Sequence, residues 1–156
     1  MKVNIWIVIF VLLFNNLKSQ SFSFNQLNNA LALKADKIEE LPLAKKFKFS
    51  EAENGVVTFR KLFGKTVETL ELFEYYTNGS GLTYCTFSSD FYLKIKNDIE
   101  KSNKYLSVGV NVLPDGRSIN AYMSKDGKSM IQCIIESGEQ NIYSLTFKKL
   151  SWTARE

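Results

Sequence analysis

The sequence predicts an α+β domain made mainly of antiparallel strands, with two helices packed against the sheet. Two stretches of helical periodicity, each followed by runs of alternating apolar and polar residues, carry this prediction. The clearest run fills the last third of the chain and reads as four strands, at 105–113, 117–124, 128–136 and 142–149. Its turns include Asp115-Gly116 and Asp126-Gly127. Asp-Gly favours a hairpin because glycine accepts the positive φ of a tight turn.

The two predicted helices are Phe24–Lys37 and Asp90–Lys101. Ser23 precedes the first helix, and Ser88 and Ser89 precede the second. A serine hydroxyl can accept a hydrogen bond from the free amides of a first helical turn. Apolar residues recur at intervals of three or four, which gives each helix one stripe to bury. The stripes consist of Phe24, Leu27 and Leu31, and of Phe91, Ile95 and Ile99.

Four more strands are expected between the helices. Residues 46–50 and 56–60 alternate around an Asn54-Gly55 turn, which predicts a hairpin. The segment 65–76 is ambiguous, because its apolar residues fall every three positions as in a helix, while its threonines and aromatics favour a strand. We interpret this segment as a strand that pairs with 82–87 across the turn at 78–81.

The predicted order is therefore a helix and four strands, followed by a second helix and four strands. This order resembles the tandem arrangement of some small secreted inhibitor and binding proteins of cystatin-like shape. The resemblance is one of architecture, and a fold does not by itself fix a function.

Alternation in the last four strands predicts one buried and one solvated sheet face. The helix at 90–101 is the expected cover, and the third strand, apolar on both sides, is expected to be central. The residues assigned to the buried face are Leu106, Val108, Val110 and Val112, then Ile119, Ala121 and Met123, then Tyr143, Leu145 and Phe147.

The first residues have the layout of a cleavable secretory signal. Lys2 supplies a positive charge, Ile5–Phe14 is an unbroken apolar run, and the small residue Ser19 precedes the expected cleavage site. Cleavage after Ser21 and a retained signal anchor are the alternatives, but the apolar run is shorter than the roughly 20 residues that span a bilayer. We therefore expect a signal peptide at 1–19, one domain at 20–156 and an exported protein, periplasmic or extracellular, without a membrane span after cleavage.

The charge distribution does not indicate a nucleic-acid partner. Lys2 and Lys18 leave with the signal, so the net charge of +4 falls to +2. The remaining lysines are interspersed with glutamates rather than gathered on one run, which does not suit a nucleic-acid-binding surface.

Cys85 and Cys133 are the two cysteines, and both fall in predicted strands. In an oxidising compartment such a pair usually forms a disulfide, and closing a loop of this length would contribute roughly 4 kcal/mol. The alternative is two free thiols that pack as small apolar side chains. The disulfide is the prediction.

No residue constellation in the sequence predicts catalysis. The chain contains no histidine, which excludes Ser-His-Asp and Cys-His catalysis and any site that depends on imidazole. Two cysteines alone do not make a zinc site, which takes four ligands. We expect no catalytic residues, no metal and no cofactor.

Aromatic residues make up 13% of the chain, and most of them must lie in the core. Those around the turn at 78–81 are the candidates for an exposed contact surface, because tyrosine is enriched at interfaces. This surface consists of Tyr75, Tyr76, Asn78 and Tyr84. The alternative is that they are ordinary strand residues.

Taken together, these features predict a small exported module without catalytic activity that binds or inhibits another protein of the envelope or exterior. The alternative is a carrier that holds a small apolar ligand between sheet and helices, since such pockets are mainly apolar and aromatic. The sequence gives no oligomeric state.

Overall fold

The structure is a computed structural model that describes residues 22–31, 46–63, 66–75 and 79–150. The predicted signal at 1–19 and the second half of the first predicted helix lie outside these ranges. In chain order the elements are α1 (Phe24–Ala30), β1 (Lys48–Glu53), β2 (Val56–Phe63), β3 (Thr66–Tyr75), β4 (Gly79–Thr86), α2 (Ser89–Lys101), β5 (Tyr105–Val112), β6 (Ser118–Ser124), β7 (Ser129–Glu136) and β8 (Ile142–Lys149).

The strands form one eight-stranded sheet in the order β1-β2-β3-β4-β8-β7-β6-β5. Every neighbouring pair is antiparallel. Each half of the chain supplies a four-stranded meander, and the two meanders meet where β4 pairs with β8. The edges of the sheet are β1 and β5. The described fold is thus mainly β with two helices, which agrees with the coarse α+β prediction.

The local signals in the sequence predicted most elements correctly. The ambiguous segment is a strand, because β3 pairs along its length with both β2 and β4. The hydroxyl of Ser23 accepts a hydrogen bond from the amide of Gln26, and that of Ser88 accepts one from the amide of Phe91. Both serines are therefore N-caps, as the sequence predicts.

One face of the sheet packs against the helices, and we call it the helix-covered face. Tyr84 of β4 lies edge-on to Phe91 of α2 with ring centroids 5.1 Å apart. Tyr143 of β8 lies 5.1 Å from Tyr92 of α2. The ring contacts and hydrogen bonds between the described helices and the sheet all go to this face. The opposite face has neither described helix on it, and we call it the open face.

The prediction of which β6 residues are buried is wrong. Tyr122, not Ile119 and Met123, lies on the helix-covered face, because it pairs with the buried Ile131. Its side chain is 2% exposed, and its hydroxyl donates to Glu100 Oε1 of α2 at 2.7 Å. A single antiparallel register sets the face of every strand, and this register places the apolar residues of β6 on the open face.

The prediction for β5 fails for a different reason. A bulge between Ser107 and Gly109 shifts the register, and an extra residue moves the following side chains to the other face. Leu106 pairs with Met123 on the open face, whereas Val110 pairs with Asn120 on the helix-covered face. The apolar residues of β5 therefore do not share a face.

The predicted disulfide is also wrong: Cys85 and Cys133 are free. Cys85 lies on β4 and Cys133 on β7, with β8 between them. Two strand spacings separate their backbones by roughly 9–10 Å, beyond the ~7 Å limit for a disulfide. Cys85 pairs with Ser144 and Cys133 with Leu145, and adjacent residues of β8 point to opposite faces. The two thiols therefore lie on opposite sides of the sheet.

Gly109 supports a first prediction, because its φ of +132° suits glycine and strains other residues. Gly109→Ala should lower the free energy of unfolding by roughly 1–3 kcal/mol, measured by urea titration. No atom would clash with the added Cβ, so the loss would come from the backbone. Gly138→Ala is the matched control, since its Cβ would meet only an ordinary 3.6 Å contact. Equal stability of the two variants would contradict the bulge geometry.

A second prediction concerns alkaline pH. Burial raises the pKa of the Cys133 thiol from 9.0 to about 12. The folded chain therefore holds this proton more tightly, so the contribution to stability is complete below pH 9 and is lost as the pH rises towards 12. Burial also raises the pKa of Tyr84 and Tyr122. Their ionisation therefore lowers the stability of the fold as well, at higher pH.

Urea titrations at pH 7, 9 and 10.5 measure this effect. Cys133 alone should account for a loss of about 2 kcal/mol between pH 9 and 10.5. Cys133→Ala is less stable at pH 7 but should lose less between pH 9 and 10.5 than the unmodified chain. Parallel losses in both chains would show that the thiol is not responsible.

Candidate functional site

The open face carries a group of apolar side chains where β5, β6 and β7 lie side by side. Met123 stands opposite Met130 on one side and Leu106 on the other, and Ile119 stands opposite Ile134. We call these five residues the apolar patch. Leu106 is 57% exposed, and the other four are partly exposed. Solvated faces of antiparallel sheets normally carry polar residues, so this patch departs from the expected pattern.

Most of the rest of the described open face is polar, apart from Leu62 and Val67, which pair between β2 and β3 and are 79% and 37% exposed. Across the β4–β8 seam the hydroxyls of Thr83 and Thr146 are hydrogen-bonded at 3.0 Å, and Cys85 Sγ lies 3.3 Å from the Ser144 hydroxyl. Further along, on β1 and β2, Glu51 and Arg60 form an exposed ion pair at 2.8 Å. The open face therefore changes from charged at β1 through a band of hydroxyls to apolar at β5–β7.

Of the residues that the sequence proposed as a contact surface, Tyr84 is the one whose side chain the structure describes. Tyr84 is 0% exposed and lies in the core, where it contacts Phe22, Phe47 and Phe91. Neighbouring residues of a strand point to opposite faces. Because Thr83 and Cys85 lie on the open face, Tyr84 between them points towards the helices. Tyr84 is therefore not part of an exposed surface.

The other members of that proposed surface lie at the end of β3 and beyond it. Tyr75 pairs with Gly79 at the last position of the β3–β4 ladder. Tyr76 and Asn78 lie outside the described residues. Sequence reasoning missed the apolar patch instead, although the alternation of Ile119 and Met123 was visible, because it assigned these residues to the buried face.

A buried carboxylate lies on the helix-covered face. Glu68 is 3% exposed. Its Oε2 accepts a hydrogen bond from Lys61 Nζ at 3.2 Å, and its Oε1 accepts one from Thr86 Oγ1 at 2.9 Å. Both carboxylate oxygens are thus engaged and shielded from solvent. Burial, and next the Glu68 charge, raise the pKa of the neighbouring Tyr84. This arrangement balances a buried charge and leaves no carboxylate oxygen free to meet a substrate.

The β6–β7 turn also contains serines and lysines that could be written as catalytic pairs, Ser124 with Lys128 and Ser129 with Lys125. Ser124 Oγ donates to Asp126 Oδ1 at 2.6 Å, and Lys125 Nζ donates to Asn103 Oδ1 at 2.7 Å. Asp126 also accepts a hydrogen bond from the amide of Lys128. These contacts hold the turn and bring no lysine against a serine hydroxyl.

Two hollows open near the start of β5. One, of about 420 Å³, is lined by Tyr105, Lys125 and neighbouring polar residues. The other, of about 410 Å³, lies between the start of α1 and the end of α2. Lys104 lines both hollows. Polar and apolar surface contribute about equally to their walls, whereas small-molecule sites have mainly apolar walls.

Within the ranges that the structure describes, no three histidine, cysteine, aspartate or glutamate side chains are placed to hold a metal ion. Among the same residues, no helix is long and apolar enough to cross a membrane. The apolar patch, with five apolar side chains on three neighbouring strands, is the candidate site.

Comparison with known proteins finds no family model that matches the chain, no similar curated protein and no similar solved structure.

The two cysteines support a third prediction, on thiol reactivity. Cys85 is partly exposed on the open face, whereas Cys133 is buried with a pKa raised by burial to about 12. Because the thiolate is the reactive form, a disulfide-exchange reagent at pH 8 should label Cys85 far faster than Cys133. Two thiols should react after unfolding in denaturant.

The matched variants are Cys85→Ser, which should remove the fast phase, and Cys133→Ser, which should keep it. A native chain that shows no reactive thiol until it is reduced would indicate a disulfide and would contradict the structure.

Proposed function

We propose that this chain is an exported, non-catalytic module that binds another protein through the open face of its sheet, with the apolar patch at the centre of contact. The observation that carries the proposal is the apolar patch itself. Apolar residues gathered on an uncovered face of a soluble domain are typical of protein interaction sites. A polar surround is typical of such sites as well, and here the band of hydroxyls borders the patch.

The composition of the patch supports a protein as the partner. Met123 and Met130 stand opposite each other at one end of it, and Ala121 opposite Gln132 separates them from Ile119 and Ile134. Methionine side chains are unbranched and polarizable, so they adapt to the shape of an apolar partner. The sheet beneath them is rigid because β6 and β7 are paired on both sides, which limits the conformational entropy lost on binding.

The apparent repeat of one helix and four strands supports a narrower version of the proposal. In this version the chain acts as an inhibitor of the kind known from small secreted proteins of cystatin-like shape. The element order is its only support, and an inhibitor would have to block the active site of its partner. Export rests on the signal-like segment at 1–19, and the envelope or exterior is the compartment in which the partner is expected.

The alternative function, a carrier of a small apolar ligand, has less support. Large buried side chains, among them Tyr84, Tyr122 and Phe147, fill the described space between sheet and helices. The two hollows described above have walls of mixed polar and apolar surface rather than mainly apolar ones. The binding module is therefore the function that we propose.

The proposal leads to a fourth prediction, tested by substituting the patch. Met123→Lys and Met130→Lys place a charge on the patch, while the long lysine stem nearly matches the length of methionine. Each variant should weaken partner binding about tenfold or more, as expected when a central interface residue is changed. The measurement is affinity capture from the envelope and medium of the source cells, followed by titration of the captured protein.

Leu93→Lys is the matched control, because Leu93 is 51% exposed on α2, away from the open face. It should bind as the unmodified chain does. Circular dichroism and thermal melting should show that all three variants are folded. If no exported protein is captured, or if the three variants bind equally, the open face is not the binding surface.

A further inference from the structure

The β5 edge of the sheet is unusually apolar for an exposed edge. Leu106, Val108, Val110 and Val112 are 57%, 63%, 66% and 67% exposed, and they make up half of the eight residues of the strand. The strand contains neither a charged residue nor proline. An edge strand presents unpaired backbone amide and carbonyl groups, and an exposed apolar edge is a template for pairing with another chain.

The opposite edge of the same sheet is protected in the usual way. β1 carries Lys48, Glu51 and Glu53 among its six residues, and all six are exposed. Charged side chains on an edge strand discourage pairing with another strand. One edge of the sheet is therefore guarded by charge and the other is not, so the chain presents a single edge suited to strand addition.

We propose that β5 pairs antiparallel with β5 of a second copy of this chain, which joins two eight-stranded sheets into one sheet of sixteen strands across a two-fold axis. A second copy fits because β5 is the one edge of the described sheet that carries no charge. Pairing of β5 with β1 would build an open-ended chain of molecules, and the charges on β1 oppose it. Pairing of β5 of one copy with β5 of the other uses the uncharged edge of each copy and closes the assembly at two chains.

The charges around β5 are compatible with pairing between two copies. Lys104 precedes the strand, and Asp115 with Arg117 follows it as an ion pair at 2.7 Å. In an antiparallel pair, the start of one strand lies near the end of the other. The two copies of Lys104 therefore lie at opposite ends of the pair, and no like charges stand directly opposite each other, which would be destabilising.

The geometry also keeps the two open faces on the same side. An antiparallel pair of identical strands has its two-fold axis perpendicular to the sheet, and rotation about that axis leaves each face on its own side. Leu106, at the edge of the apolar patch, would then lie at the seam between the copies. The two apolar patches would flank that seam, so one partner protein could contact both.

The bulge limits the strength of this contact. It interrupts β5 between Ser107 and Gly109, and a bulge at an edge bends the strand and disrupts regular pairing. The paired length is therefore short and the interface small, which is typical of weak and reversible association. We expect the mass in solution to rise from one chain to two as the concentration increases from about 1 μM to about 1 mM.

Light scattering or sedimentation of the purified chain over that range tests the proposal. Val110→Lys and Val112→Lys should stay monomeric at every concentration, because charge on an edge blocks strand addition. Both residues are two-thirds exposed, so the fold should be retained and thermal melting can verify this. Ser50→Lys on β1 is the matched control and should form the dimer as the unmodified chain does.

Hydrogen exchange locates the contact directly. Exchange of β5 backbone amides should slow as the concentration is raised, while exchange in β1 should not change. A chain that is monomeric up to 1 mM, a dimer that survives both valine substitutions, or growth beyond two copies would overturn the proposal. Met123→Lys should leave the dimer intact. The proposal of a dimer and the proposal of a partner-binding surface can therefore be rejected independently of each other.

Discussion

The antiparallel pairing of β4 with β8 is the constraint on which the rest of this structure depends. The two strands are far apart in sequence, and the ladder between them runs from Gly81 opposite Lys148 to Thr86 opposite Tyr143. This ladder joins two local four-stranded meanders into one sheet. Because the ladders are then continuous apart from the bulges in β1 and β5, the pairing of each strand with its neighbours decides the face on which its side chains lie.

The separation of the two faces follows from that register. Leu82 and Tyr84 of β4 share the helix-covered face with Leu145 and Phe147 of β8, and all four are buried. The hydroxyls of Thr83 and Thr146 meet on the opposite side. Both described helices lie on the first side, so the second has no cover from them. An uncovered sheet face is where an apolar cluster becomes informative about binding.

Most of the buried polar groups described have partners, although the Tyr84 hydroxyl and Asn120 Oδ1 have none. Glu68 accepts from Lys61 and Thr86, and Tyr122 donates to Glu100. A buried ion pair contributes little net stability, but removal of one partner leaves an uncompensated charge. Such groups fix the register of β2 against β3 and the position of α2 over β6. They are therefore best understood as structural, which directs attention to the surface for function.

The two edges of the sheet differ in charge, and this difference bears on how two copies of the chain could assemble. Charged residues on β1 oppose strand addition, whereas β5 exposes valines along an uncharged strand. The apolar patch adjoins that same edge through Leu106. The proposed binding of a partner on the open face and the proposed pairing along β5 would therefore use neighbouring surfaces, although different residues dominate each. Sheet extension would enlarge the continuous open face without any change in the fold of the single chain.

Local features of the sequence determined the elements themselves. Ser23 and Ser88 define where the helices begin, and Asp-Gly at 115–116 and 126–127 defines hairpin turns, because these signals act within a few residues of the chain. The alternation of apolar and polar residues predicted where the strands lie. It did not predict which face of the sheet each residue occupies. The placement of Ile119 and Met123 on the open face and the bulge at Gly109 depend on strands that are distant in sequence.

The same limit applies to the candidate site. Tyr84 and the two cysteines were assigned from their residue type, but their surroundings are set by the β4–β8 ladder, which buries Tyr84 and places the two thiols on opposite faces. The sequence by itself determined the strands, the helices and the absence of histidine chemistry. Only the tertiary structure decided which apolar residues are left uncovered, because burial depends on pairing between distant strands and not on the pattern within any one of them.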